Sequence, residues 1–299
     1  LSTRILAIGG ATLDRVWFVE TLPASGTKVR ASSYMEVGGG QAANAAVTAA
    51  RLGGRVALWS AVGDDAAGTT ILRELRAEHV DVSGVTVLTG VRSITAAVIV
   101  DANGERTIVS DVDPALRSKA FQPDLSAIGS MGAVLADVKW PALARPALEE
   151  ARRCGVPVVL DIEPAPADHL TQLSPLADHA IFSRSGLAAY TGTADPESGL
   201  AVAFARIGRV VGVTLGAEGV RLMSAQGQVR VPAPRVAVVD TTGAGDAFHG
   251  AYALAIAEGM EAVAAARFSN AVAAMKCTRR GGRSGLPTRP EIDAFMAAM

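Results

Sequence analysis

The stretch that decides the fold is Asp240-Thr-Thr-Gly-Ala-Gly-Asp-Ala-Phe-His-Gly-Ala-Tyr252. It follows an extended apolar run, Arg235-Val-Ala-Val-Val239, and precedes an Ala-rich run from Ala247 to Ala257. That pattern predicts a strand, a tight glycine turn and a helix. Gly243 and Gly245 let the backbone turn sharply and bring N–H groups, unpaired at a helix start, against an anion. A phosphate, or a phosphoryl group in transfer, suits such a place. Asp246 falls in the first helical turn, where a carboxylate can take the proton of a hydroxyl attacking phosphorus. Taken alone, Gly-Ala-Gly-Asp reads equally well as a plain turn with Asp246 as a helix cap.

Working outward, a second glycine-rich stretch lies far upstream: Gly38-Gly-Gly-Gln-Ala-Ala-Asn44-Ala-Ala. It opens a helix of small residues, which can approach a sheet and a ligand closely. Asn44 on its first turns can offer a donor and an acceptor to a polyol. Residues 4–10 read as a first strand, with Asp14 just beyond it, and ligands of open α/β sheets gather at the carboxyl ends of strands. Between Val16 and Val37, and again at Ile94–Val100 and Glu105–Val109, the pattern changes to short, more polar β segments. Asn103-Gly104 is a hairpin signal between the last two. These segments predict a small sheet made from two separated pieces of sequence. From residue 133 to 224, strand and helix patterns alternate, the signature of a parallel sheet covered on both faces.

Composition narrows the function classes. Of the 299 residues, 49% are hydrophobic and 19% charged, ample for a large core and wrong for disorder. A net charge of −1 provides no global field for nucleic acid or a membrane surface, so any phosphate site must be local. Cys154 and Cys277 lack metal or redox spacing and read as small core groups in a reducing compartment. The strand at Arg4–Ile8 leaves no room for a signal peptide ahead of it, and no apolar run approaches a membrane span. The expectation is a soluble, cytoplasmic protein.

The two glycine-rich stretches, in this order, resemble the paired signatures of the ribokinase-like (PfkB) carbohydrate kinases. Within that family the overall likeness is to sulfofructose kinase and fructokinase-type members, through Thr12-Leu-Asp14-Arg15, Val134-Leu-Ala-Asp-Val-Lys-Trp140, Asp178-His179 and Cys277-Thr-Arg-Arg-Gly-Gly-Arg283. The resemblance implies an α/β three-layer sandwich, with a mostly parallel central sheet and a small β-sheet lid. It implies one domain over residues 1–299, with the lid formed by about 14–37 and 92–112. A lid of this kind excludes water that would compete as acceptor. Its apolar face, with Trp17, Phe18 and Tyr34, implies a homodimer through the lid.

The implied reaction is that of a phosphotransferase with an alcohol acceptor. MgATP and a hydroxyl of a ketose-type sugar (fructose, sulfofructose or a relative) give ADP and a sugar phosphate. A nucleoside kinase, or a catalytically silent sugar- or nucleotide-binding module, is the alternative. By the match, Asp246 is the base and the amides of Gly243, Ala244 and Gly245 form the anion hole. An unperturbed Asp ionises near 3.9 and is a weak base at neutral pH. Asp14, Gly39, Gly40 and Asn44 contact sugar, with Lys28, Arg106 and Lys139, and Arg92 beside them, as cations for an anionic substituent. Ser110 and Lys139 stand where the sulfonate-binding members carry Asn and Arg, and Lys lacks the bidentate grip of Arg. Thr214, Gly216 and Gly219 line the nucleotide, and Asn270 and Ala273 the adenine pocket. Asp240 and Thr242 are implied to hold a monovalent cation such as K+. One departure concerns magnesium: relatives carry Asn-x-x-Glu where this chain has Ser183-Arg-Ser-Gly186, leaving Asp161 and Glu163 as substitutes.

Overall fold

The computed structural model describes residues 3–102, 105–118 and 124–299, so the Asn103-Gly104 turn lies outside the described residues. The chain begins β1 (Arg4–Ile8), β2 (Thr12–Phe18), β3 (Ser33–Gly39), α1 (Gln41–Arg51), β4 (Arg55–Gly63), α2 (Ala66–Ala77), β5 (Val85–Leu88), β6 (Thr95–Val100) and β7 (Arg106–Asp111). It continues α3 (Pro114–Ser118), β8 (Ala133–Asp137), α4 (Pro141–Cys154), β9 (Val158–Ile162), α5 (Ala167–Leu173), β10 (His179–Ser183), α6 (Arg184–Thr191), α7 (Pro196–Ile207) and β11 (Val210–Thr214). A hairpin, β12 (Val220–Ser224) and β13 (Gly227–Val231), precedes α8 (Ala244–Ala257), α9 (Ala262–Cys277) and α10 (Arg289–Ala297).

Nine strands form the main sheet in the order β13-β12-β11-β10-β9-β8-β1-β4-β5, parallel except for the hairpin at one edge. β8 and β9 are buried along their whole length, and β1 is buried except at Arg4. Such strands read as continuous apolar runs because helices cover both faces. One core cluster joins β1 and β4 to α1, α2, α8 and α9, and a second joins the opposite face to α4 through α7. α8 is apolar all round and buried from Ala247 to Ile256. Gly250 makes its close crossing of α1 possible: a Cβ there would lie 2.3 Å from the Ala45 carbonyl oxygen.

The small sheet has the order β3-β2-β6-β7 and is built from the two separated pieces of sequence. Its register puts Asp14, Phe18, Arg106 and Ser110 on one face, and Trp17, Tyr34 and Val109 on the other. Trp17 and Tyr34 pack together with ring centroids 5.2 Å apart, whereas Phe18 belongs to the opposite face. Two expectations fail here. Arg235–Val239 is not a strand: Val238 and Val239 are exposed, and the run is anchored by Val239 and Asp240 N–H groups on the Cys277 carbonyl. The cysteines are not core groups, Cys154 being exposed and Cys277 partly so.

Candidate active site

Gly243 enters α8 in the left-handed region at φ 75°, and Asp246 stands in the first turn of the helix. The Ala244 N–H is spent on Thr241 O at 3.1 Å, inside the turn, so it is not free for an anion hole as the sequence suggested. Asp246 Oδ2 accepts a hydrogen bond from Asn44 Nδ2 at 2.8 Å. The two glycine-rich stretches thus meet across 202 positions of sequence through the two side chains the sequence singled out. Asn44 Oδ1 in turn accepts from Arg283 Nε at 3.3 Å, and Arg283 also donates to Gly39 O at 3.2 Å. Arg283 is 3% exposed and lies 3.5 Å from Glu74, whose carboxylate accepts the Gly38 N–H. The C-terminal loop and the glycine turn before α1 are therefore locked by one buried guanidinium, and α8 joins them through Asn44.

Asp14 lies on lid strand β2 and accepts from Thr12 Oγ1 at 2.8 Å. Gly39 is required beside it, because a Cβ at that position would come within 2.3 Å of the Asp14 carboxylate. Gly40 caps α1 at φ 92°. Burial raises the Asp14 carboxyl above its ordinary value, against the opposing pull of Thr12 and Arg283. Burial likewise pushes Asp246 up to about 7, with Asp161 and Glu163 adding to the rise and the Asn44 bond opposing it. Asp246 as a residue is only partly buried at the surface. Its value of about 7 lies above the one near 3.9 expected from the sequence and toward the range that suits a general base.

Beneath Asp246 lies a second buried acid. Asp161 Oδ2 accepts from Gln41 Nε2 at 3.2 Å, and its Oδ1 is buried without a hydrogen-bond partner. His249 Nε2 is 3.4 Å from that oxygen. Burial, then Glu163 and Asp137, push Asp161 well above the usual carboxylate range. His249 is held down by burial, and its Nδ1 lies 2.8 Å from the Gly245 carbonyl, which can only accept. Glu163 accepts from Ser183 at 2.8 Å, and Ser183 caps α6. Asp137, which sequence reasoning gave no role, accepts Gly10 and Lys139 N–H groups behind the same cleft.

The remaining candidates divide. Lys28 and Arg106 are exposed, Arg106 on the Asp14 face of the lid, and Arg92 is paired with Asp111 and Asp113. Lys139 donates through Nζ to Pro164 O at 2.6 Å and lines a hollow of about 290 Å³ with Arg117, Trp140 and His169. Thr214 ends β11, Gly216 and Gly219 form the turn after it, and Ala273 is partly exposed on α9. Asn270 is buried, its amide donating to Val231 O at 2.9 Å and Pro232 O at 3.3 Å, so it shapes the wall beside β13. Asp240 accepts from Thr242 N–H and Gly281 N–H, both at 2.8 Å, and its carbonyl accepts from the Lys276 ammonium at 2.7 Å.

Comparison with known proteins decides the family. Residues 2–289 match the model of the pfkB family carbohydrate kinases. The chain belongs to that family. As a member it is a carbohydrate kinase, a phosphotransferase acting on sugar hydroxyls. It is 33% identical to ribokinase of Bacillus subtilis, over 98% of this chain and 99% of that protein. A crystal structure of a ribokinase candidate from Agrobacterium tumefaciens superposes with a TM-score of 0.96 at 40% identity, covering 99% of this chain and 98% of that one. Arabidopsis thaliana ribokinase, solved with ribose and ATP, shares the fold with a TM-score of 0.87 at 24% identity, covering 99% of each chain. Ribokinases and fructokinases are both among the relatives. No helix among the described residues is long and apolar enough to cross a membrane.

Proposed function

We propose that this carbohydrate kinase transfers the γ-phosphoryl group of ATP to a hydroxyl of a furanose-forming sugar, ribose or a ketose such as fructose. The observation that carries the reading is the 2.8 Å bond between Asn44 and Asp246, which brings a polyol-binding amide and a carboxyl titrating near 7 to one point. The ketose expectation came from the sequence, and the relatives named ribokinase put ribose first among the substrates to test.

In this scheme Asp14 and Asn44 hold the sugar against the glycine turn at Gly39 and Gly40. Asp246 accepts the proton of the attacking hydroxyl as oxygen bonds phosphorus. Gly243 and Gly245, at the positive end of α8, face the charge that develops on the phosphoryl oxygens. Thr214, Gly216, Gly219 and Ala273 border the nucleotide, beside the wall that Asn270 holds. The residues fit magnesium: Asp161 has an orphaned buried oxygen and Glu163 lies on the same strand end, and Mg2+ is commonly held by one or two carboxylates plus substrate phosphates. Bound there, Mg2+ would neutralise phosphate charge, and Asp161 and Glu163 would be its protein-side partners. A cation beside Asp161 would also reverse the rise that its anionic neighbours impose.

On the lid face away from Asp14, Val109 of edge strand β7 is exposed and Tyr34 is half exposed, a surface suited to a second copy of the lid. The free cysteines and the use of ATP suit the cytoplasm. The deciding experiment measures ADP release with MgATP against ribose, fructose, fructose phosphates, sulfofructose and adenosine, with Asp246→Ala as control. One sugar turned over in an Asp246-dependent way is the expected result. Turnover of adenosine in preference to every sugar would transfer the assignment to nucleosides.

A further inference from the structure

The family resemblance implies a monovalent cation at Asp240 and Thr242, and the residues present do not fit one. Lys276, in the last turn of α9, is 0% exposed, a rare state for lysine. Its ammonium donates to the Asp240 carbonyl at 2.7 Å and lies 3.8 Å from Asp240 Oδ1. Both Asp240 carboxylate oxygens already accept backbone N–H groups, from Thr242 and Gly281. A second unit charge within about 4 Å of the ammonium would be repelled enough to weaken its binding roughly a thousandfold at an effective dielectric of about 20. Asp240 is three residues ahead of Gly243, and Gly281 belongs to the loop packed against that turn. The positive charge therefore braces the backbone that positions the N-terminus of α8.

We propose that the Lys276 ammonium stands in for the monovalent cation, as a tethered charge that holds the Asp240–Gly243 turn, so that the enzyme needs no K+. Lys276 is a positioning residue: it is buried against Asp240 and acts through it. The activity arm of the test rests on the kinase reading; the stability arm does not.

The experiment compares thermal unfolding, and ADP release with whichever sugar of the panel is turned over, in potassium chloride and in tetramethylammonium chloride at equal ionic strength. For the wild type, neither the melting temperature nor kcat is expected to change between the two salts. Lys276→Met, which keeps an unbranched side chain one atom shorter and without the charge, is expected to lose about 10- to 100-fold in kcat with little change in sugar KM. K+ is expected to restore activity to that variant and to raise its melting temperature by a few degrees. A wild type activated or stabilised by K+ overturns the proposal. So does a Met variant that keeps full activity without K+, or one that K+ cannot rescue, since the lysine would then serve packing alone. Should the variant fail to fold, the wild-type melting temperature in the two salts decides by itself. Should no sugar be turned over, the kinase reading fails on the substrate panel while that same stability comparison still tests Lys276.

Discussion

The two halves of the cleft are built in opposite ways. Under α8, Asn44 joins Asp246 to Arg283, and Gln41 joins Asp161, through hydrogen bonds drawn from four separate parts of the chain. On the lid side, Lys28 and Arg106 stand exposed, and Asp14 is tied to Thr12 within its own strand. The buried half has one arrangement, because an unpaired polar group there is costly. The lid half can exchange residues at little cost to folding. On the proposed reading, chemistry is fixed by the part of the molecule that folding over-determines, and sugar choice by the part that folding leaves free.

The largest effect belongs to the base. Asp246→Asn should lower kcat by on the order of 10²–10⁴ with the sugar KM little changed, measured by steady-state ADP release. The same variant should be more stable than the wild type at pH 8, and by a much smaller margin at pH 5. In the folded protein the Asp246 carboxyl holds its proton up to about pH 7, whereas in the unfolded chain it lets go near 4. Between those values folding loses stability as pH rises, and Asn removes the loss. Equal stability at both pH values would show that the carboxyl is not under strain from burial.

Next in size is Arg283→Met, which strands Asn44 Oδ1 and the Gly39 carbonyl inside the protein and takes away the cation beside half-buried Glu74. It should cost about 2–4 kcal/mol in urea unfolding and reduce turnover as well. A loss below about 1 kcal/mol would place Arg283 with the dispensable surface cations. Asp14→Asn should act mainly on binding, raising the sugar KM by about 10- to 100-fold with a smaller fall in kcat, because the carboxylate meets hydroxyls in ground and transition states alike. The smallest effect is expected at the lid cations. For a neutral sugar, Lys28→Ala with Arg106→Ala should shift KM by less than about threefold, whereas loss of two charge-assisted bonds to an anionic sugar would cost far more. A large shift would show that the exposed half carries an anion site after all.

The parallel sheet and the lid were legible because each has its own period: continuous apolar runs for β8 and β9, short mixed segments for β2, β3, β6 and β7. Asp246 and Asn44 were legible because glycines mark the turns that carry them. Arg235–Val239 misled because its alternation of valine is that of a strand, while the edge of the sheet is taken by the β12–β13 hairpin that the sequence reading passed over. Arg283, Lys276, Asp137 and His249 were missed as parts of the site for a different reason. Each acts through a partner distant in sequence, and nothing local distinguishes a buried cation from a solvated one. The one available signal for Lys276 was its place amid Ala, Val and Met in α9, where a solvent-facing lysine has no polar neighbours to share a face with.

The most direct measurement is the pH dependence of kcat/KM for the sugar between pH 5 and 9, in the wild type and in Asn44→Ala. Asp246 must be ionised to take the proton, so the wild type should fall on the acid side with an apparent pKa near 7. Removing the Asn44 bond, which opposes the rise, should move that limb to higher pH. A wild-type profile flat across this range, or a limb that stays in place without Asn44, would contradict the assignment of Asp246 as the base held by Asn44.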